Sequence, residues 1–332
     1  MFVLWQWSLL FAIVSFASGG SRVGLAAFPW LSLTDYARPA GLAQAYTGLA
    51  SGLDGVSLNP AGLAKEKEQR VWAVNYEQWF LESNKGSIAY ASNFQRYFYA
   101  FSVAYQSDGE NEVTEIDEAG EMVTTDKSIK PYSMNPSLAI AKEINSYVAV
   151  GGAFKLPMEY LGNFYGSQWA LGWGMDLGLQ YQPKTKRYSF GMAALNLGRL
   201  QRSPVENGKR GYGLPFEYKV GMVYHGLAKN KGKLVADVGF PYYASPYIAV
   251  GVERSLTRNF QIRAGTSLNV SEIKYRFQEL VLSKEDEEFD DFNIKKINAG
   301  FSYSQKSISI EYAGQYWLFL GMRHVLSVKL RY

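Results

Sequence analysis

The chain has no cysteine in 332 residues. That absence excludes disulfides, thiolate metal sites, cysteine nucleophiles and a lipidated amino-terminal cysteine. Histidine is nearly missing too, since His225 and His324 are the only two. With so few bases for neutral pH, and no Gly-x-Ser-x-Gly, His-Glu-x-x-His or phosphate-loop pattern beside them, the sequence reads as non-enzymatic and calls for no cofactor. A basic block is also lacking. The 34 Lys and Arg against 30 Asp and Glu leave a net charge of +4, which gives no reason for a nucleic-acid partner. After the amino terminus no segment reaches the roughly 18 uninterrupted apolar residues of a spanning helix, and the mean hydropathy of -0.17 is too polar for a helical membrane protein.

What is present favours strands and tight turns: 24 Tyr, 19 Phe, 8 Trp and 32 Gly. Residues 1–19 read as an export signal. They carry no charged side chain, hold an apolar run from Val3 to Ala17, and run into the small residues Ala17, Ser18, Gly19 and, just beyond, Gly20, with cleavage after Ala17 or Gly19. The run lacks the usual basic start, and the alternative of an uncleaved anchor is opposed by Gln6, Ser8 and Ser15 within it.

From about residue 70 the chain divides into fourteen candidate strands: 70–80, 86–94, 97–107, 131–143, 146–157, 167–182, 187–198, 215–226, 233–240, 246–255, 259–269, 294–304, 307–313 and 323–332. Apolar residues alternate with small or charged ones. Tyr218, Val220, Met222 and Tyr224 oppose Glu217, Lys219 and Gly221, and Ile308, Ile310 and Tyr312 oppose Ser309, Glu311 and Ala313. Alternation suits a soluble sandwich as well as a barrel. Connector lengths separate the two: every even-numbered connector is six residues or fewer, and the long ones, near 108–130, 158–166, 199–214 and 270–293, all follow odd-numbered strands. A transmembrane barrel with both termini on one side sorts its loops in this way. Two long loops are acidic, around Asp108 to Asp126 and Glu285 to Asp291, without the oxygen spacing of a calcium loop, and read as solvated and mobile.

The last strand places Leu326, Val328, Leu330 and Tyr332 on one face and Ser327, Lys329 and Arg331 on the other, and the chain ends on an aromatic residue. This ending resembles the insertion signal of bacterial outer-membrane barrels. Between the export signal and the first strand, residues 28–69 differ in character, with Ala37-Arg38, Gly41-Leu42-Ala43, and then Asn59, Pro60, Ala61, Gly62 and Leu63. Asn59 is a good N-cap and Pro60 a good first helical residue. These landmarks resemble the FadL superfamily, and with Ala194 to Gly198, Leu214-Pro215, Lys219-Val220-Gly221 and Val250 to Glu253 they most resemble its PorV and PorQ branch.

The resemblance implies an all-β fold, a 14-stranded antiparallel barrel over residues 70–332, in the outer membrane of a Gram-negative-type bacterium. Both mature termini would be periplasmic and residues 28–69 would form a plug or lining. Its implied partners are outer-membrane lipid and the barrel assembly machinery. Inside such a barrel Lys219, Asp237, Glu253, Arg263, Glu311, Lys329 and Arg331 would pair with one another and with the plug. Three functions follow as expectations: a PorV-like accessory role in protein export, with a larger secretion barrel and secreted proteins as partners; FadL-like passive transport of long-chain fatty acids or other hydrophobic small molecules; and a structural barrel. A transporter should show an aromatic and aliphatic pocket continuous with a kinked strand, for which Gly151-Gly152 and Gly172-x-Gly174 are candidate bends.

Overall fold

The computed structural model describes residues 25–79, 83–116, 120, 122–162, 168–203, 212–228, 231–270, 296–317 and 321–332. The export signal and nearly all of the last acidic loop lie outside the described residues. The strands are β1 (Arg70–Gln78), β2 (Asn84–Phe94), β3 (Tyr97–Ser107), β4 (Asn111–Ile116), β5 (Met122–Ile129), β6 (Tyr132–Glu143), β7 (Val148–Lys155), β8 (Met158–Gly162) and β9 (Gln168–Tyr181). They continue with β10 (Tyr188–Arg202), β11 (Glu217–Leu227), β12 (Gly232–Pro241), β13 (Tyr247–Ser255), β14 (Phe260–Asn269), β15 (Lys296–Gln305), β16 (Ile308–Trp317) and β17 (Gly321–Arg331).

All but β4 and β5 form one antiparallel sheet that closes on itself. β17 pairs with β1, placing Val328 opposite Val74, and β9 pairs with β10. β7 and β8 lie end to end: both pair with β6 on one side and β9 on the other. They are one wall strand interrupted at Leu156 and Pro157, so the barrel has fourteen strands. Pro157 has no N–H to continue the ladder. The wall is nevertheless sealed there, because Leu156 N donates to Pro136 O at 3.0 Å and Gly172 N to Pro157 O at 2.8 Å.

Burial is inverted relative to a soluble protein. On β1 the exposed positions hold Trp72, Val74 and Tyr76, and the buried ones Val71, Ala73, Asn75 and Glu77. On β17 Leu326 and Leu330 are exposed while Arg323, Ser327 and Lys329 are buried. Large apolar side chains cover the outside of nearly every strand, and a surface of this kind faces hydrocarbon.

The short turns, 95–96, 144–147, 182–187, 228–231, 256–259 and 306–307, share the end of the barrel that holds the carboxy terminus, here the terminus end. The long connections share the opposite loop end. Two expectations need correction. Residues 158–162 extend the wall as β8 instead of opening a loop, and the first acidic loop contains the hairpin of β4 and β5, whose strands pair from Asn111 opposite Ile129 to Ile116 opposite Met122.

Candidate functional site

The interior is filled by the segment before β1. It contains short turns of helix at Pro29–Ser32, Ala37–Gly41, Gly52–Gly55 and Pro60–Lys65, each too short to stand alone. Asn59 fixes the last of these. Its Oδ1 accepts from Ala61 N at 3.2 Å, while Nδ2 donates to Thr47 O at 2.9 Å and to Leu179 O on β9 at 3.0 Å. A Ser or Asp could cap the helix, but only an amide supplies an acceptor and two donors together. The fully buried Asn59 therefore ties its own turn, the preceding turn and the wall.

Three cross-strand glycine pairs let the segment lie against the wall: Gly151 with Gly178, Gly191 with Gly221, and Gly251 with Gly265. A Cβ on Gly178 would come within 2.1 Å of Asn59 Oδ1, and one on Gly151 within 2.6 Å of Pro60. On Gly191 it would meet Thr47 O at 2.1 Å, and on Gly265 the Leu42 backbone at 2.6 Å. The candidate bend glycines thus have another explanation. Gly151 receives Pro60, Gly172 receives Phe28 and Gly174 receives Leu214, and the interruption of the wall comes from Pro157.

Polar ties concentrate on β9 to β17. Asp237 accepts from Tyr46 N at 3.0 Å and Thr47 N at 2.8 Å, and Lys219 donates to Gln44 O at 3.1 Å. Together they hold a turn in which Ala43 and Gln44, neither a glycine, take left-handed backbone. Glu253 receives Arg38 through two bonds of 2.8 Å, with Lys233 at 2.9 Å and Arg263 at 3.8 Å. Lys329 bridges Asp54 at 2.5 Å and Glu311 at 2.8 Å. Burial pushes the Asp54 carboxyl up, against the pull of Lys329 beside it. Arg323, fully buried, grips Glu77 with two bonds of 2.5 Å and donates to Thr34 O at 2.7 Å and to Gln315. The expected lumen charges all point inward, and the ion pairs join six of the seven, Arg331 instead donating to Ser309 Oγ.

The opposite side of the segment is held differently. Tyr36, Leu53, Ala61, Leu63 and Ala64 pack on inward alanines of β1, β2, β3, β6 and β7, with Lys85 and Asp35 as an ion pair among them at 2.5 Å. Three cavities border the segment, and the smallest of them lies on this side. A chamber of about 700 Å³ at the loop end is walled by Trp30, Trp79, Phe216, Tyr243, Tyr247 and Trp317 and touches Glu159 of β8. A small inner cavity of about 50 Å³ lies between the segment and Ala100, Ser102, Ala104, Ser137 and Ala153. A charged chamber of about 480 Å³ at the terminus end includes Asp54, Glu66, Lys329 and Arg331. Trp30 and Leu33 line both the first and the second, and Leu53 lines both the second and the third.

Ser189 and His225 also line the terminus-end chamber, 3.0 Å apart. The Ser189 hydroxyl proton is committed to Gly48 O at 3.0 Å, which leaves the imidazole as donor to the serine oxygen, the wrong polarity for a general base. His324 bonds Tyr312 at 2.7 Å. The structure brings Asn59, Pro60, Ala61 and Gly62 together against β7 and β9, and places Leu326, Leu330 and Tyr332 on the outer face with Val328 half-buried. Sequence reasoning missed Glu77 and Arg323, although period-two alternation puts both on inward positions.

No protein-family model matches the chain, and no curated protein matches it in sequence. Solved structures do. A deletion mutant of the TodX monoaromatic hydrocarbon channel superposes with a TM-score of 0.61 at 14% identity, over 91% of this chain and 100% of that one. The toluene transporter TodX of Pseudomonas putida gives 0.59 at 12% identity, over 90% and 96%. A FadL homologue from Pseudomonas aeruginosa gives 0.54 at 11%, over 90% and 98%. The likeness is one of fold: a FadL-type barrel. Closeness to the PorV and PorQ branch rests on the sequence landmarks alone.

Proposed function

We propose that the chain is a non-enzymatic, passive channel of the outer membrane for small hydrophobic molecules, with both termini in the periplasm and residues 28–69 as its plug. In this reading the terminal face of Leu326, Val328, Leu330 and Tyr332 is the element that the barrel assembly machinery recognises. The observation that carries the proposal is the aromatic loop-end chamber, of ligand-pocket size, which touches the interrupted strand and leads through Trp30 and Leu33 to the inner cavity. The barrels of like fold are described as hydrocarbon channels and a toluene transporter, which supports transport over an accessory role in export. Passage would follow the alanine-packed side of the plug, where side chains of Trp30 and Leu53 can turn aside without breaking the polar ties on β9 to β17.

Expression in cells whose lipopolysaccharide leaflet retards hydrocarbons tests this, with radiolabelled toluene as the probe. The wild-type chain should speed uptake over cells without it and migrate heat-modifiably as an outer-membrane protein. Ser102→Phe, which fills the inner cavity, should return uptake to background while leaving migration unchanged. Wild-type uptake equal to background would refute the transport reading.

A further inference from the structure

The terminus end carries a ring of unpaired positive charge. Among its six short turns, Arg96 lies in the first, Lys184 and Lys186 with Arg187 in the third, Lys231 in the fourth, Arg258 in the fifth and Lys306 in the sixth. All seven are exposed, and none has an ion-pair partner among the described residues. Of the exposed carboxylates at this end, Glu143, beside the second turn, pairs with Lys65 at 3.4 Å, and Glu68 lies in the segment before β1, where its carbonyl accepts from Asn93 Nδ2. The whole chain has only four more basic than acidic residues, so the charge is sorted: the connections at the loop end hold the two acidic stretches.

A second feature sits immediately beside this ring. Outward-facing aromatic side chains, Phe94, Tyr97, Tyr181, Tyr188, Tyr303 and Tyr332, stand at the last strand positions before the turns or next to them. Exposed aromatics of this kind settle at the boundary between hydrocarbon and headgroups. The basic side chains project from the residues just beyond that boundary, which is the depth of lipid phosphates. Lysine and arginine stems can lie along the aromatic belt while the cations reach outward, as Lys142 over the Tyr97 ring at 4.9 Å and Lys184 over the Tyr147 ring at 5.9 Å already do.

We infer that the terminus-end turns form a binding rim for the phosphate headgroups of anionic glycerophospholipid in the leaflet that surrounds them. A soluble acidic partner would need one contiguous face, whereas these charges are spread over five of the six turns around the circumference, where each meets a different lipid. The rim fixes the depth of the barrel and holds negatively charged lipid around its terminus end.

The inference rests on the membrane placement proposed above, and its test is separable from that reading. The purified barrel, confirmed as folded by heat-modifiable migration, is titrated with phosphatidylglycerol and with phosphatidylethanolamine and examined by native mass spectrometry. Phosphatidylglycerol should be retained with an affinity about tenfold higher, falling as salt is raised. The variant carrying Lys184→Gln, Lys186→Gln, Arg187→Gln, Arg258→Gln and Lys306→Gln should fold equally well and lose that preference. Equal retention of the two lipids, a preference that survives in the variant, or capture of an acidic protein without any lipid preference would each overturn the rim. Failure of the wild-type chain to migrate as a heat-modifiable barrel would instead overturn the membrane placement.

Discussion

Arg323→Ala is expected to lower the stability of the folded barrel by about 3–5 kcal/mol, the cost of stranding a buried charge whose partner has been removed. Arg323 is fully buried, and the Glu77 carboxylate opposite it is 2% exposed and takes two of its N–H groups at 2.5 Å. Removing the guanidinium leaves that carboxylate without its counter-ion and also releases Thr34 O and the Gln315 side chain. The measurement is denaturant unfolding in lipid vesicles, followed by the heat-modifiable band. The double replacement Glu77→Gln with Arg323→Met should recover most of the loss, because it deletes the charge pair as a unit. A single-variant loss below about 1 kcal/mol would mean that water or another cation reaches Glu77.

Gly191→Val should dislodge the plug while leaving the wall intact. Its Cβ would fall 2.1 Å from Thr47 O, 2.5 Å from Thr47 C and 2.8 Å from Gly48 N, all backbone atoms held in place by Asp237 and Asn59. Overpacking typically costs about 1–3 kcal/mol when neighbours can yield. Here the simplest relief is withdrawal of the turn at 43–48. Chymotrypsin, which should spare Tyr46 while it is fully buried, should then cleave after it, and ion conductance across planar bilayers should rise. Gly152→Val is the control, since an added Cβ there points outward and meets nothing closer than Asp176 O at 3.4 Å. Unchanged proteolysis in Gly191→Val would show that the wall bends instead of the plug.

The wall was legible in the sequence because a strand exposed to lipid on one side and polar groups on the other writes its pattern into neighbouring residues, as Leu326 to Tyr332 do. Turn sorting was legible for the same reason: Pro183 to Lys186 and Gln305-Lys306 interrupt that pattern locally. The plug's attachment was not. Asn59 signals a helix cap to its immediate neighbours, but its bond to Leu179 O depends on which strand ends up beside it. Gly151 and Gly178 each look like a weak point in a strand, and only the pairing of β7 with β9 makes them partners opposite Asn59 and Pro60. The interruption before β8 did have a signal, Pro136 and Pro157, whose missing N–H groups fall on adjoining strands. The inner chambers arise from what the plug leaves unfilled, a difference between two shapes that no single run of residues encodes.

The glycine pairs also constrain the order of events during assembly. The part of the chain synthesised first docks onto β7, β9, β10, β11, β13 and β14, all translated well after it, so its landing places do not exist until most of the polypeptide has been made and paired. Residues 28–69 must therefore wait, tethered to β1, while the cylinder forms around the space they will occupy. A maturing chain halted before β14 would own ten of the fourteen wall strands and still leave Leu42 without its landing place on Gly265.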